Sequence, residues 1–330
     1  MKIFVTGATG FIGGRLAREL VGAGHQVRAL VRDPAKARAL EQAGVELCPG
    51  DIRDRESVRR AMQGSDALYH VAAWYRVGSP DVAEAREINV DGTRNVLETM
   101  RQLGIPKGVY TSSIAIFSDT HGHTVDEDTV FRGPYNSVYE QTKAAAHYDV
   151  ALPMMADGLP LVVVMPGVVY GPGDHSPIRD SFVMFLQRKL PVLPRGTVYC
   201  WGHVDDTVRA HVLAMERGRV GQAYITAGPI CEFARVFEIA AAKTSIPAPR
   251  MRLGGDTLRR LAKVTGAIEH MVPWLPASYR AESLRSVAGT TSIASSAKAE
   301  RELQWHARGL EVGLVETLEY EMRALGLSPR

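Results

Sequence analysis

Residues 6–13 read TGATGFIG, between the short apolar run KIFVT (2–6) and a helical pattern over 11–23. This feature restricts the fold more than any other in the chain. Gly7, Gly10 and Gly13 permit a tight strand-to-helix turn, close approach of backbone to a pyrophosphate, and close packing of helix on strand. The helix start then offers N–H groups and the positive end of its dipole to phosphates. Alone, a glycine triplet is a weak signal. Here strand-like runs recur at 26–31 (QVRALV), 45–50 (VELCPG), 66–72 (DALYHVA), 107–113 (KGVYTSS) and 160–166 (PLVVVMP). Helical patterns at 34–43, 55–63, 84–103 and 136–157 separate them. Several runs are continuous in Val, Leu and Ile, as in strands buried on both faces. The alternation predicts an α/β fold with a doubly wound parallel sheet.

Past residue 172 the regularity loosens into the turn-rich YGPGDHSP and LPVLPRG, and the tail over 245–330 reads as mostly helical. With 330 residues there is room for one large and one smaller domain. The expected division is a Rossmann-type dinucleotide-binding domain over 1–171 and a substrate-binding region over 172–330. The second is read as smaller, mostly helical, interleaved with the last strands and closing over the sheet's carboxyl edge. A net charge of +3 without a Lys/Arg block argues for neither nucleic acid nor a membrane surface. The longest apolar stretch, 159–171, is broken by Pro166 and Gly167 and is too short to span a bilayer. Cys48, Cys200 and Cys231 form no CxxC pair and read as reduced thiols of a cytoplasmic protein. The amino terminus runs straight into a strand, unlike a signal peptide.

The end of the second strand selects the cofactor. NAD sites usually place an acid there for the ribose 2′-hydroxyl, and NADP sites an arginine for the 2′-phosphate. The chain reads LVRDPAKAR. Asp33 before Pro34 makes a helix N-cap followed by a first-turn proline, which occupies the acid structurally. Arg32 remains to pair with a phosphorylated ribose, so NADP(H) is preferred and NAD(H) possible. Thr9, Phe11 and Ile12 complete the glycine turn as cofactor contacts. At the third strand's tip Asp51 is placed to accept from the adenine amino group, and Ile52 to cover the ring. Val71, Ala72 and Ala73 end the fourth strand with small residues over which a cofactor can lie; His70 reads as a strand residue.

In YNSVYEQTK (135–143), Tyr135, Tyr139 and Lys143 fall on one helical face. Such a face is either a packing stripe or a reaction centre. Together TGATGFIG, DIRD, HVAA, NVDGTRNVLE, YTSSIAIF, YEQTK, PGVVYGPGD, HVDDTVRAH and AKAERELQW resemble the extended short-chain dehydrogenase/reductase family over most of the chain. The VRDP segment is similar to its dihydroflavonol-reductase-like branch, which generally uses NADPH. The resemblance implies a catalytic trio of Ser113, Tyr139 and Lys143, with Ser112 as the fallback serine and Tyr135 outside the trio. A free tyrosine has a pKa of ~10. In the implied scheme the Lys143 ammonium lowers it and can hold the nicotinamide ribose, while Ser113 holds the substrate oxygen.

The resemblance also lays Pro166, Gly167 and Val169 along the nicotinamide; Met165 stands where an arginine is common and makes the pocket more apolar. Asn89 is expected to pin neighbouring backbone. Sugar-nucleotide members of the family grip a diphosphate with arginines that VYCWGHVDD and MPGVVYGPGD lack, although Arg179 or Arg195 offers a replacement. The expected function is NADPH-dependent reduction of an apolar or aromatic ketone or aldehyde; nucleotide-sugar epimerisation or dehydration is the alternative, and a non-enzymatic cofactor sensor a distant third. Trp74, Tyr75, Phe117, Tyr135, Met165 and Trp201 read equally as pocket wall or core. His121 and His123, among the acids of DTHGHTVDED, read as a solvated loop, and no metal is expected. The helices at 84–103 and 136–157 permit a homodimer; the only other expected partner is a small-molecule substrate.

Overall fold

The computed structural model describes residues 1–76, 81–269, 272 and 280–327. The six apolar runs form β1 (Lys2–Thr6), β2 (Gln26–Val31), β3 (Glu46–Pro49), β4 (Ala67–His70), β5 (Gly108–Thr111) and β6 (Leu161–Pro166). Between them lie α1 (Phe11–Gly22), α2 (Arg38–Glu41, after a 3-10 turn), α3 (Arg55–Met62), α4 (Val82–Arg86), α5 (Thr93–Gln102), α6 (Val138–Ala145) and α7 (Leu152–Ala156). Residues Glu87–Gly92 join α4 to α5, and Ala146–Ala151 join α6 to α7, as π-helix. The two long helices expected at 84–103 and 136–157 are thus continuous but each widened by one turn.

All pairings in the main sheet are parallel, in the order β3-β2-β1-β4-β5-β6, with β10 (Ala223–Thr226) added beyond β6. Alternate residues of each strand enter opposite cores. Phe4, Leu68, Leu161 and Val163 join Val96, Met100 and Val150 on one face. Ile3, Val5, Val162 and Val164 join Leu16, Leu20, Val208 and Leu213 on the other. Burial on both faces accounts for the unbroken Val/Leu/Ile runs. The strand order reverses between β1 and β4, so a crevice opens there at the strands' carboxyl ends.

The remaining elements are β7 (Val168–Tyr170), α8 (Pro177–Leu186), β8 (Leu193–Pro194), β9 (Val198–His203), α9 (Val204–Arg217), β11 (Ile230–Glu232) and α10 (Phe233–Thr244). They are followed by β12 (Arg252–Leu253), α11 (Gly255–Ile268), α12 (Ala281–Ser286), β13 (Thr291–Ser292), α13 (Ala297–Leu303) and α14 (Leu310–Ala324). β9 is the axis of a small second sheet and pairs with β7, β11 and β13. Behind it Tyr170, Phe182, Trp201, Phe237 and Leu314 form a separate core. β10, α9 and α13 come from the second half of the chain but pack with the main sheet.

Candidate active site

At the reversal point the glycines are required by contact. Gly7 has φ +76, and a Cβ there would stand 2.6 Å from the Ala72 nitrogen and 2.8 Å from the Val71 carbonyl carbon. A Cβ on Gly13 would lie 2.2 Å from the Gly7 oxygen. These glycines bring the β1 turn, the first turn of α1 and the end of β4 into one close-packed cradle. Gly10 caps α1 with no side-chain hydrogen bond, leaving first-turn N–H groups for an anion. Thr9 and Gly10 are exposed, and Phe11 and Ile12 half-buried. The residues present therefore fit a dinucleotide's pyrophosphate.

Arg32 is exposed just past β2. Asp33 caps the following turn by accepting from the Ala35 N–H at 3.0 Å with Pro34 in the first turn, as its sequence position predicts. A groove of about 130 Å³ beside the glycine turn is lined by Thr9, Gly10, Gly14, Arg18 and Lys36 among others, so two cations face it. The Asp51 carboxylate lies at the tip of β3. Burial alone would raise its pKa, but the Arg53 fork at 2.8 and 3.1 Å, with Arg32 nearby, holds it below the usual range. Ile52 is buried, with its side chain against Gly92. Val71 and Ala72 are half-buried and Ala73 exposed at the crevice edge. His70 is a buried strand residue, bonded to Thr6 at 2.7 Å and Thr93 at 3.0 Å. Burial and the Lys143 charge push its pKa down to about 3, so the ring is neutral.

Ser113 and Tyr139 are brought together. Ser113 ends the β5 edge and caps the next turn by accepting from the Ala115 N–H at 3.1 Å. Its hydroxyl also donates to the Pro166 carbonyl at 3.5 Å. Ser137 caps α6, which sets Tyr139 in its first turn. Burial pushes the Tyr139 phenol up to about 12, the Ser113 hydroxyl pulls it back, and Glu140 adds to the rise. Tyr75, 47% exposed, stands edge-on to the Tyr139 ring at 4.7 Å. The fallback Ser112 hydroxyl is buried without a partner among the described residues.

Lys143 occupies the expected helix face but is bonded elsewhere. Its amine donates to the Thr111 carbonyl at 2.7 Å and to the Tyr110 hydroxyl at 3.3 Å, and sits 4.9 Å from that ring's centre. Burial lowers its pKa to about 7. Asn89 pins backbone as expected: it accepts from the Trp74 N–H at 2.7 Å and donates to the Trp74 carbonyl and Thr142 hydroxyl at 3.1 and 2.9 Å. Tyr135 donates to the Phe131 carbonyl at 3.1 Å and packs edge-on against Phe131, outside the hydroxyl pair.

Of the aromatic wall, Trp74, Phe117, Met165 and Trp201 are buried packing residues, and Tyr75 alone among the six is strongly exposed. Gly167 is needed for packing, since a Cβ would meet the Cys200 and Ala227 carbonyls at 2.5 and 2.6 Å. Val169 pairs with Gly202 and is half-buried. Arg179 is paired through Nε with the fully buried Glu321 at 2.9 Å. His121 and His123 are exposed in a loop. Donor atoms of His203, Asp205 and Glu316 lie within 4.8 Å of one another, but Arg15 and Arg308 already neutralise the two acids.

One feature of the site escapes the sequence reading. Glu140 accepts from the Ser118 hydroxyl at 2.7 Å and the Asn136 N–H at 2.8 Å, and Ser137 accepts from the Glu140 N–H at 3.2 Å. The signal was the spacing Ser137-x-x-Glu140, a capping box. It fixes the start of the helix that carries Tyr139.

A putative dihydroflavonol 4-reductase from Synechocystis is 33% identical over 256 residues, 75% of this chain and 74% of that protein. Sterol demethylase protein B from Methylococcus capsulatus is 31% identical over 272 residues, 82% of each chain. The crystal structure of gox2253 superposes with a TM-score of 0.84 at 28% identity, covering 99% of both chains. The pattern of the NAD-dependent epimerase/dehydratase family matches residues 3–227. With its glycine cradle at the reversal of a parallel sheet, the chain belongs to that family and is an NAD(P)-dependent enzyme of the extended short-chain dehydrogenase/reductase type.

Proposed function

We propose that this protein is an NADPH-dependent reductase of apolar or aromatic ketones or aldehydes, working through Ser113, Tyr139 and Lys143. What supports the reading is that the Ser113 hydroxyl, at the end of β5, lies near enough to the Tyr139 phenol to lower its pKa against the effect of burial. A bound nicotinamide supplies the hydride. Ser113 holds the carbonyl oxygen, and Tyr139 gives its proton to that oxygen as the carbon is reduced, so the product is the alcohol. With its phenol pushed up to about 12, Tyr139 holds the proton at neutral pH and is ready to act as the acid. Lys143, its pKa lowered to about 7 by burial, can hold the ribose and, when protonated, supply positive charge as the phenolate forms.

Arg32, exposed just past β2, supports NADP(H), since a guanidinium suits a 2′-phosphate. The two reductase-like features of the sequence, VRDP and the missing clamps, favour reduction over sugar-nucleotide chemistry. The second part of the chain, from 172, would then supply the substrate side, with Tyr75 at the mouth.

Purified protein is expected to oxidise NADPH with a ketone or aldehyde from a panel, followed by nicotinamide absorbance. Tyr139→Phe abolishes turnover by at least about a hundredfold while cofactor binding persists. Arg32→Ala weakens NADPH much more than NADH. Interconversion of a nucleotide sugar without net cofactor use, or equal losses for both cofactors, contradicts the reading.

A further inference from the structure

α11 buries Leu258 and Ala262 against Leu284 and Ala288 around α12. A helix with one buried face should turn polar groups outward. Instead Leu261, Val264 and Ile268, spaced i, i+3, i+7, are 38, 60 and 42% exposed, and Met251 just before the helix is 60% exposed. At about 100° per residue this line lies next to the buried face, so the apolar arc is about twice as wide as the part the protein covers. Single exposed apolar side chains are ordinary, but three in register form a patch.

The same segment is basic, and with Arg252 paired to Glu238 and Arg259 to Asp256 its other cations are Arg250, Arg260 and Lys263, all exposed. Residues 250–269 hold Arg250, Arg252, Arg259, Arg260 and Lys263 against Asp256 and Glu269, a net +3 that equals the net charge of the whole chain. The rest of the molecule balances to zero. Arg260 stands on the outer flank of the apolar line, with Lys263 and Arg259 further round. The helix is fixed in place. A Cβ on Gly255 would come within 2.5 Å of the Ala288 carbonyl, and Arg259 donates to that carbonyl at 2.6 Å. α12 beneath it borders the candidate site: Ser286 accepts from the Tyr199 hydroxyl at 2.9 Å, and Glu282 accepts from the Val138 N–H beside Tyr139 at 3.0 Å.

We propose that α11 and the Met251 turn are a peripheral docking surface for an anionic lipid bilayer. Leu261, Val264 and Ile268 enter the headgroup boundary, and Arg250, Arg260 and Lys263 meet the anionic headgroups. An apolar line flanked by basic residues is the composition of an interfacial helix. A second copy of the chain would set the same cations against one another, which like charges oppose. No described helix is long and apolar enough to cross a membrane, so the contact is peripheral. Docking needs no hydride transfer, so either proposal can fail while the other stands.

The test is flotation of the full chain with phosphatidylcholine vesicles, with and without about one-third phosphatidylglycerol. The wild type is expected to float with the anionic vesicles and to be released by salt. Val264→Asp with Ile268→Asp, and separately Arg260→Ala with Lys263→Ala, each lower the partition coefficient by about tenfold or more. Melting temperature and NADPH binding stay unchanged; should the aspartate variant unfold, the alanine pair, which alters only exposed side chains, decides. Failure of the wild type to float with anionic vesicles overturns the proposal, as do variants that float equally well. So does a dimer seen by sedimentation velocity that the stripe variant dissociates, with no vesicle binding by the wild type.

Discussion

Lys143 shows how a residue assigned to the proposed site can be costly to the fold. Its amine is buried, carries no carboxylate partner among the described residues, and has its pKa lowered to about 7. The unfolded value is ~10.4, so the unfolded chain binds more protons between about pH 7 and 10, and stability rises with pH across that window. Lys143→Met is therefore expected to raise unfolding stability at pH 7 by about 1–4 kcal/mol in urea titrations. The gain over wild type should shrink as pH rises towards 10, while turnover is lost. If the ammonium is what turnover needs, kcat/KM for carbonyl reduction falls above about pH 7 in the wild type. Single residues of this kind were legible when a rule ties type to place: Asp33 before Pro34, Gly7, and Tyr139 four before Lys143. The bond from Lys143 to Thr111 was not, because it depends on how β5 and α6 meet across 32 residues of chain.

Between residues 82 and 156, the elements carry a device that periodicity conceals. Each long helix contains one π segment, and the two segments lie against each other's helices. A single widened turn shifts the hydrophobic face slightly, so the apolar pattern still reads as one helix. Two residues carried the signal: Pro153, which follows the second segment, and Gly92, whose Cβ would meet Ile52 at 2.7 Å. The first segment carries Asn89 to the Trp74 backbone and to Thr142 of α6. Asn89→Ala strands a buried N–H and carbonyl of Trp74 and is expected to cost about 3 kcal/mol in denaturant unfolding. It should also lower turnover more than NADPH affinity, because the segment reaches α6 and only touches the cradle's margin.

At the scale of the whole molecule, the first half was read nearly strand for strand, because buried parallel strands announce themselves by composition. The second half was not: β8, β12 and β13 are two residues each and owe their pairing to distant partners. Its stability leans on a few buried polar links. Glu321 is fully buried in α14, one oxygen bonded by Arg179 and the other without a partner among the described residues. Arg179→Ala leaves that carboxylate unpaired and is expected to lower stability by about 3 kcal/mol; Arg179→Met with Glu321→Leu should recover most of it. The sheet has one more consequence, for the growing chain on the ribosome. β6, LVVVMP, has its outer edge closed by β10, which emerges more than fifty residues later. Until then it is a bare, uncharged edge, the kind that recruits other chains. A polypeptide stopped at residue 171 should precipitate on expression, whereas one stopped after Ala227, where the family match also ends, should remain markedly more soluble.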